Sequence, residues 1–160
     1  MIDEISLRIL KILQERARIP NVEVARQVDM APSAVLERIR KLEKQGYIDG
    51  YEVRLNPERF KRNLVAFVTV VTRAEDNEAD AGEELSKLSE IQEVHHIAGE
   101  DGFLVKVRVA DTVELGRFVR AKIQAMPFVR TTRTAIAMAT YKETARIPID
   151  DTDILKRGEP

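Results

Sequence analysis

The sequence predicts an α+β protein in two parts, a winged helix-turn-helix followed by a ferredoxin-like βαββαβ domain. Three observations predict it. The first 45 residues carry apolar side chains at helical spacing, broken twice by short turns; a Gly-turn and an alternating segment follow; and beyond a basic linker the pattern switches to β-rich runs separated by two helical stretches. The chain of 160 residues fits one domain or two small ones, and 44% hydrophobic residues is enough for packed cores.

The elements follow in order. Ile5, Ile9, Ile12 and Leu13 form the apolar side of a first helix with Asp3 as its N-cap, and the pattern stops before Arg18-Ile19-Pro20. Asn21 is the expected cap of a second helix whose inner side is Val24, Ala25 and Val28. After the break at Asp29-Met30-Ala31, Pro32 suits the first turn of a third helix, since its missing N–H is not needed there. That helix runs to about Gln45, with Val35, Ile39 and Leu42 inward and Gly46 as an αL stop. YIDGYEVRLNP then alternates and turns at Asp49-Gly50, which suggests a small β-hairpin wing.

Residues 1–50 are thus the helix-turn-helix domain, 51–63 the wing strand and linker (PERFKRN at its end), 64–142 the second domain and 143–160 a C-terminal tail. Leu64 to Thr72 is almost wholly apolar and reads as a strand buried on both faces. Residues 78–89 are helical with Leu85 and Leu88 inward, and Ile91 to Ala98 is a second strand. Phe103, Val105, Val107 and Val109 alternate with Leu104, Lys106 and Arg108, as a half-buried strand requires. Asp111 and Glu114 form a capping box opening a helix that presents Leu115, Phe118, Val119 and Ile123, and Val129 to Tyr141 is the fourth strand.

Composition excludes several classes. Without cysteine there is no disulfide, thiolate zinc site or cysteine nucleophile. The longest uncharged run, Asn63 to Thr72, is ten residues, too short for a membrane helix, and the acidic N-terminus is unlike a signal peptide, so a soluble cytoplasmic protein is expected. No GxGxxG, P-loop or GxSxG is present, and no catalytic residue, cofactor or metal site is expected. His95 and His96 are strand neighbours that face opposite ways, which disfavours a shared metal. Phe60, Phe67, Phe103, Phe118 and Phe128 all read as core positions rather than as a stacking platform. Residues 1–62 hold 13 Lys and Arg against 10 Asp and Glu, whereas residues 63–160 hold 13 against 17, a basic front on an acidic body.

The third helix concentrates the candidate chemistry. From its start at Pro32, the residues Ser33, Ala34, Glu37, Arg38, Lys41 and Lys44 lie on or beside the face opposite the apolar stripe, with Arg40 at its edge. Arg and Lys there suit phosphates, and Arg38 suits a guanine edge in the major groove. The competing reading is a solvated charged face.

ILKILQERARIPNVEVARQVDMAPSAVLERIRKLEKQGYIDGYEVRLNP resembles the DNA-binding domain of the Lrp/AsnC (leucine-responsive, feast/famine) transcription regulators, most closely over VLERIRKLEKQGYIDGY. The family usually has Ser where this chain has Ala31, and losing such an N-cap hydroxyl typically costs about 1 kcal/mol. AGEDGFLVKVRV and FVRTTRTAIAM resemble that family's C-terminal RAM domain. The resemblance implies a regulator that binds double-stranded DNA, homodimers that assemble further to tetramers or octamers, and an amino-acid effector held between dimers. It also implies a nucleoid-associated prokaryotic protein. Carried over, the effector residues are Gly99, Glu100, Asp101, Gly102, Phe103, Thr132, Thr134 and Ile136. Gly-flanked backbone N–H groups approach a carboxylate, acidic side chains hold an α-ammonium, and the threonines supply hydroxyls. The family often carries an acid at the position of Gly102, whereas the acids here are Glu100 and Asp101, which favours a basic or small amino acid over leucine. Two other readings share this architecture. One is an enzyme like the sirohaem decarboxylases, whose tetrapyrrole pocket needs Arg and His where this chain has only the His95-His96 pair. The other is a regulator without an effector.

Overall fold

The computed structural model describes residues 2–73, 78–99 and 102–150. They form two compact units, one of residues 2–54 together with 143–150, the other of residues 55–142.

In the first unit three helices surround one core: α1 (Glu4–Glu15), α2 (Asn21–Val28) and α3 (Pro32–Lys44). Asp3 caps α1, its Oδ1 accepting the Ser6 N–H at 2.8 Å. The expected cap on α2 is shifted by one residue: Asn21 lies inside the helix, and Pro20 occupies the cap position with no side-chain bond. Pro20 fixes the extended backbone the cap position needs, which leaves Asn21 as the first helical residue. Asp29, in the left-handed region at φ 54°, closes α2, and Met30 N–H donates to the Ala25 carbonyl. Ile9, Val24, Val35, Ile39 and Leu42 pack into the shared core. Arg8 reaches across to the Gln27 carbonyl at 2.9 Å, satisfying a group the end of α2 leaves free.

α3 starts on Ala31, whose extended backbone (φ −68°, ψ 140°) is that of an N-cap but whose side chain has nothing to donate or accept. Ala31→Ser is therefore expected to stabilise this unit by about 1 kcal/mol. A thermal melt should show the midpoint rising by about 4–8 °C.

The wing expected at 47–56 is not a hairpin: residues 48–56 carry no strand. A two-residue turn at Asp49-Gly50 needs positive φ at both positions, and neither has it. The segment instead leans on α3 through Tyr51, whose hydroxyl donates to Glu43 Oε1 at 2.9 Å. Burial, and then this bond to a carboxylate, push the Tyr51 hydroxyl up to about 12.

Residues 143–150 belong to this unit because they are held by α1. The Gln14 side chain donates to the Ile147 carbonyl at 2.8 Å and accepts its N–H at 3.0 Å, and Arg146 donates to the Glu15 carbonyl at the end of the helix. Residues 151–160 of the expected tail lie outside the described residues.

The second unit is a four-stranded antiparallel sheet in the order β2-β3-β1-β4, built from β1 (Leu64–Thr72), β2 (Ile91–Ile97), β3 (Gly102–Val109) and β4 (Val129–Ile136). Helices α4 (Glu78–Ser86) and α5 (Thr112–Phe118) complete the βαββαβ order. Ala66, Val68, Val70, Phe103, Val105, Val107 and Val109 meet Leu85, Leu115, Phe118 and Ile123 in its core. Asp111 caps α5 through the Glu114 N–H, while Glu114 reaches back to the Ala110 N–H and also accepts from Arg62. Past α5 the helix widens to a π turn, Val119–Ile123, and Gln124 N–H donates to Val119 O.

Two expectations about this sheet are corrected. β4 ends at Ile136 rather than Tyr141, because Ala137 N–H bonds the Val65 carbonyl next to the start of β1; Met138 and Tyr141 beyond it are exposed. β1 is not buried throughout, since α4 and α5 pack on one face and Phe67 points away from them, 39% exposed. Phe60, in a 3₁₀ turn (Pro57–Phe60), is likewise exposed, so the five phenylalanines are not all core.

Candidate nucleic-acid interface and effector site

On α3 the apolar stripe Val35, Ile39 and Leu42 is buried, and Pro32, Ser33, Glu37, Arg40, Lys41 and Lys44 are exposed, with Ala34 partly so. Arg40 pairs with Glu37 at 2.8 Å across one turn, both side chains well over half exposed. Such a pair is worth little and parts readily for a stronger anion.

Arg38 is placed differently from the expectation. It lies three residues after Val35 and four before Leu42, so it borders the buried stripe rather than the outward face. Its Nη1 donates to Asp3 Oδ2 at 2.5 Å and to Ser6 Oγ at 3.0 Å. The hydrogen bond from Arg38, and next the Ser6 N–H, hold the Asp3 carboxyl down to about 2, so it stays ionised across the ordinary pH range. Asp3 and Ser6 were not legible as partners of α3: their separation of 35 and 32 residues leaves no spacing signal.

In the second unit the structure brings Gly102 beside β1 but spreads the other described effector residues. Gly102 has φ +81°, and a Cβ there would lie 3.0 Å from the Val70 carbonyl oxygen and 3.1 Å from Thr72 Oγ1, so both conformation and space call for glycine. Gly99 is also at positive φ, +123°, and is open to solvent. Glu100 and Asp101 lie outside the described residues. Thr132, Thr134 and Ile136 pair with Val70, Val68 and Ala66, and therefore share the helix-bearing face of the sheet. Gly102 and Thr132 are two strand spacings apart, about 10 Å, and Ile136 is about 13 Å farther along β4 from Thr132. Phe103 sits where the strand alternation places it: its side chain is 2% exposed, inside the core, because it shares the inward face with Val70 and Val105.

One residue at this site was not anticipated. Gln124, which follows the π turn, donates from Nε2 to Thr132 Oγ1 at 2.8 Å. A wide turn of this kind shifts the residues after it around the helix axis. The histidines face opposite ways: His96 lies over the Phe103 ring at 5.0 Å, while His95 sits 3.4 Å from Glu93. No group of three metal-binding side chains occurs among the described residues, and no helix among them is long and apolar enough to cross a membrane.

Residues 2–49 match the family model for a winged helix-turn-helix DNA-binding domain, and residues 65–147 match that for the Lrp/AsnC ligand-binding domain. Together with the fold these define a DNA-binding transcription regulator with a small-molecule-binding domain. The leucine-responsive regulatory proteins of Escherichia coli strain K12 and of Klebsiella pneumoniae are each 36% identical over 150 residues, 92% of this chain and of theirs. A transcriptional regulator from Neisseria meningitidis, solved as its L-Met complex, aligns with a TM-score of 0.88 at 26% identity, covering 92% of this chain and 97% of that one. An AsnC-family regulator from Agrobacterium tumefaciens aligns at 0.86 and 25% identity over 96% and 99%. The chain belongs to the Lrp/AsnC family.

Proposed function

We propose that α3 reads operator DNA in the major groove and that an amino acid bound on the second unit modulates this. The observation that carries the reading is the outward face of α3, where Arg40, Lys41 and Lys44 stand exposed beside Ser33 and a helix start without a side-chain cap. Cations along the helix suit the phosphates, and the uncapped N–H groups at its start suit one more. Glu37 releases Arg40 when a phosphate takes its place. Arg38 joins this surface indirectly.

The effector site is proposed at Gly99 to Phe103 with Thr132, Thr134 and Ile136, the Phe103 contribution being its backbone. An amino acid is the effector class in keeping with relatives named leucine-responsive and with the L-Met complex. The protein acts as a homodimer assembling to a tetramer or octamer, in the cytoplasm on the nucleoid, and has no catalytic role. Two half-sites a whole number of helical turns apart follow from two-fold symmetry.

The test is binding of a labelled duplex from the gene's own upstream region, titrated against salt. Saturable binding above that of random duplex is expected, and Lys41→Ala should weaken binding to all sequences while lowering the logarithmic salt slope by about 1. Equal affinity for random duplex would sink the DNA reading. Calorimetry with the twenty amino acids addresses the effector: binding of a basic or small one is expected, and leucine binding alone would refute that preference.

A further inference from the structure

We propose that Arg38 is a positioning residue for α3, acting through Asp3, the cap of α1, and Ser6 in its first turn, and not by touching the duplex. This rests on the DNA-binding reading above and says which residue sets the angle of the helix that reads.

The geometry is specific. Nη1 of Arg38 carries two hydrogens, and both are engaged, one by Asp3 Oδ2 at 2.5 Å and one by Ser6 Oγ at 3.0 Å. The other oxygen of Asp3 caps α1. One carboxylate therefore holds the first turn of α1 and the middle of α3 together. Ser6 is 8% exposed, the Arg38 side chain 30% and the Asp3 side chain 56%, so the contact sits at the rim of the helix junction, buried on its Ser6 side and open to solvent at Asp3. The α3 footing in this unit otherwise rests mainly on the stripe Val35, Ile39 and Leu42, with Tyr51 bonded to Glu43 near the far end of the helix. Apolar contacts are non-directional and leave rotation about the helix axis and small sliding weakly specified. A charge-assisted hydrogen bond fixes direction and distance. Side chains that read base edges must arrive within hydrogen-bond tolerance, so a lost register costs affinity for the matched sequence.

The experiment measures fluorescence anisotropy of the labelled upstream duplex and of random duplex against the native chain, Arg38→Ala, Asp3→Asn and the double variant. Asp3→Asn keeps an oxygen to cap α1 but removes the charge that holds Arg38. By charge alone it should tighten DNA binding, since it deletes an anion and frees a cation. Positioning predicts the opposite sign. Asp3→Asn should weaken binding to the upstream duplex on the order of tenfold with the salt slope unchanged, and the double variant should be no weaker than Arg38→Ala. Arg38→Lys, which offers one charge without the planar fork, should recover only part of the affinity. Circular dichroism at the assay temperature confirms folding, and Asp3→Ser repeats the test if Asp3→Asn fails it. The inference is overturned if Asp3→Asn binds as tightly as the native chain or tighter while Arg38→Ala lowers the salt slope by about 1. A native chain that does not distinguish its upstream duplex overturns the DNA reading and this inference with it.

Discussion

Phe103→Ala is expected to lower the unfolding free energy of the second unit by about 3–5 kcal/mol, the cost of removing a buried aromatic ring and leaving its space unfilled. Phe103 packs in the core with Val70, Val105 and Leu85, its ring edge close enough to Gly82 that a Cβ there would sit 3.1 Å away, and His96 lies over its face. Val70, Val105 and Leu85 are fully buried in the packed sheet core and Gly82 has no side chain to fill the gap, so the space is refilled only at a cost. Phe103→Leu keeps most of the volume and should cost far less, about 1.5 kcal/mol or below, with amino-acid affinity unchanged. Urea unfolding followed by calorimetry separates the cases. Unchanged stability with abolished amino-acid binding in Phe103→Ala would instead place the ring in the effector site.

The same residue shows why the fold was more legible than the site. A strand's side chains alternate, so the inward placement of Phe103, Val105, Val107 and Val109 could be read directly from period two. The identical logic already said that Phe103 faces the helices, but the resemblance supplied the residue as a ligand without saying whether ring or backbone was meant. Arg38 is a second instance. Its spacing of three from Val35 and four from Leu42 places it beside the buried stripe, and counting along the helix would have put it there. Charge drew it to the outward face instead. What no count could supply was the partner, because Asp3 reaches it only when α1 and α3 have packed. The wing failed for a local reason: Asp-Gly is a turn signal only if the backbone takes positive φ, and Gly50 does not. Gln124 depends on the π turn before it, and five ordinary helix-forming residues, VRAKI, give no sign of one.

Ile9→Ala should remove DNA binding while leaving the second unit folded. Ile9 is wholly buried, in a core with Leu13, Val24, Val28, Val35 and Ile39 that shares no residue with the core of the sheet. Truncating it costs about 2–5 kcal/mol in transfer and cavity terms. A unit of this size buries a smaller share of its surface than a larger domain does, and domains as a class hold only about 5–15 kcal/mol in total. The upper part of the expected loss is therefore enough to unfold it at the assay temperature, and the lower part raises its opening rate. Hydrogen exchange should show protection lost at amides of α1 to α3 and kept at β1 and β3. Ile9→Val, costing about 0.5–1.5 kcal/mol, should retain duplex binding. The contrast matters because α3 reads DNA only as a placed helix: its stripe of Val35, Ile39 and Leu42 packs into the same core as Ile9, and an eight-residue α2 is too short to hold its shape alone. Protection lost in both units together would show that their stabilities are coupled, and amino-acid binding would then fall with DNA binding in this variant.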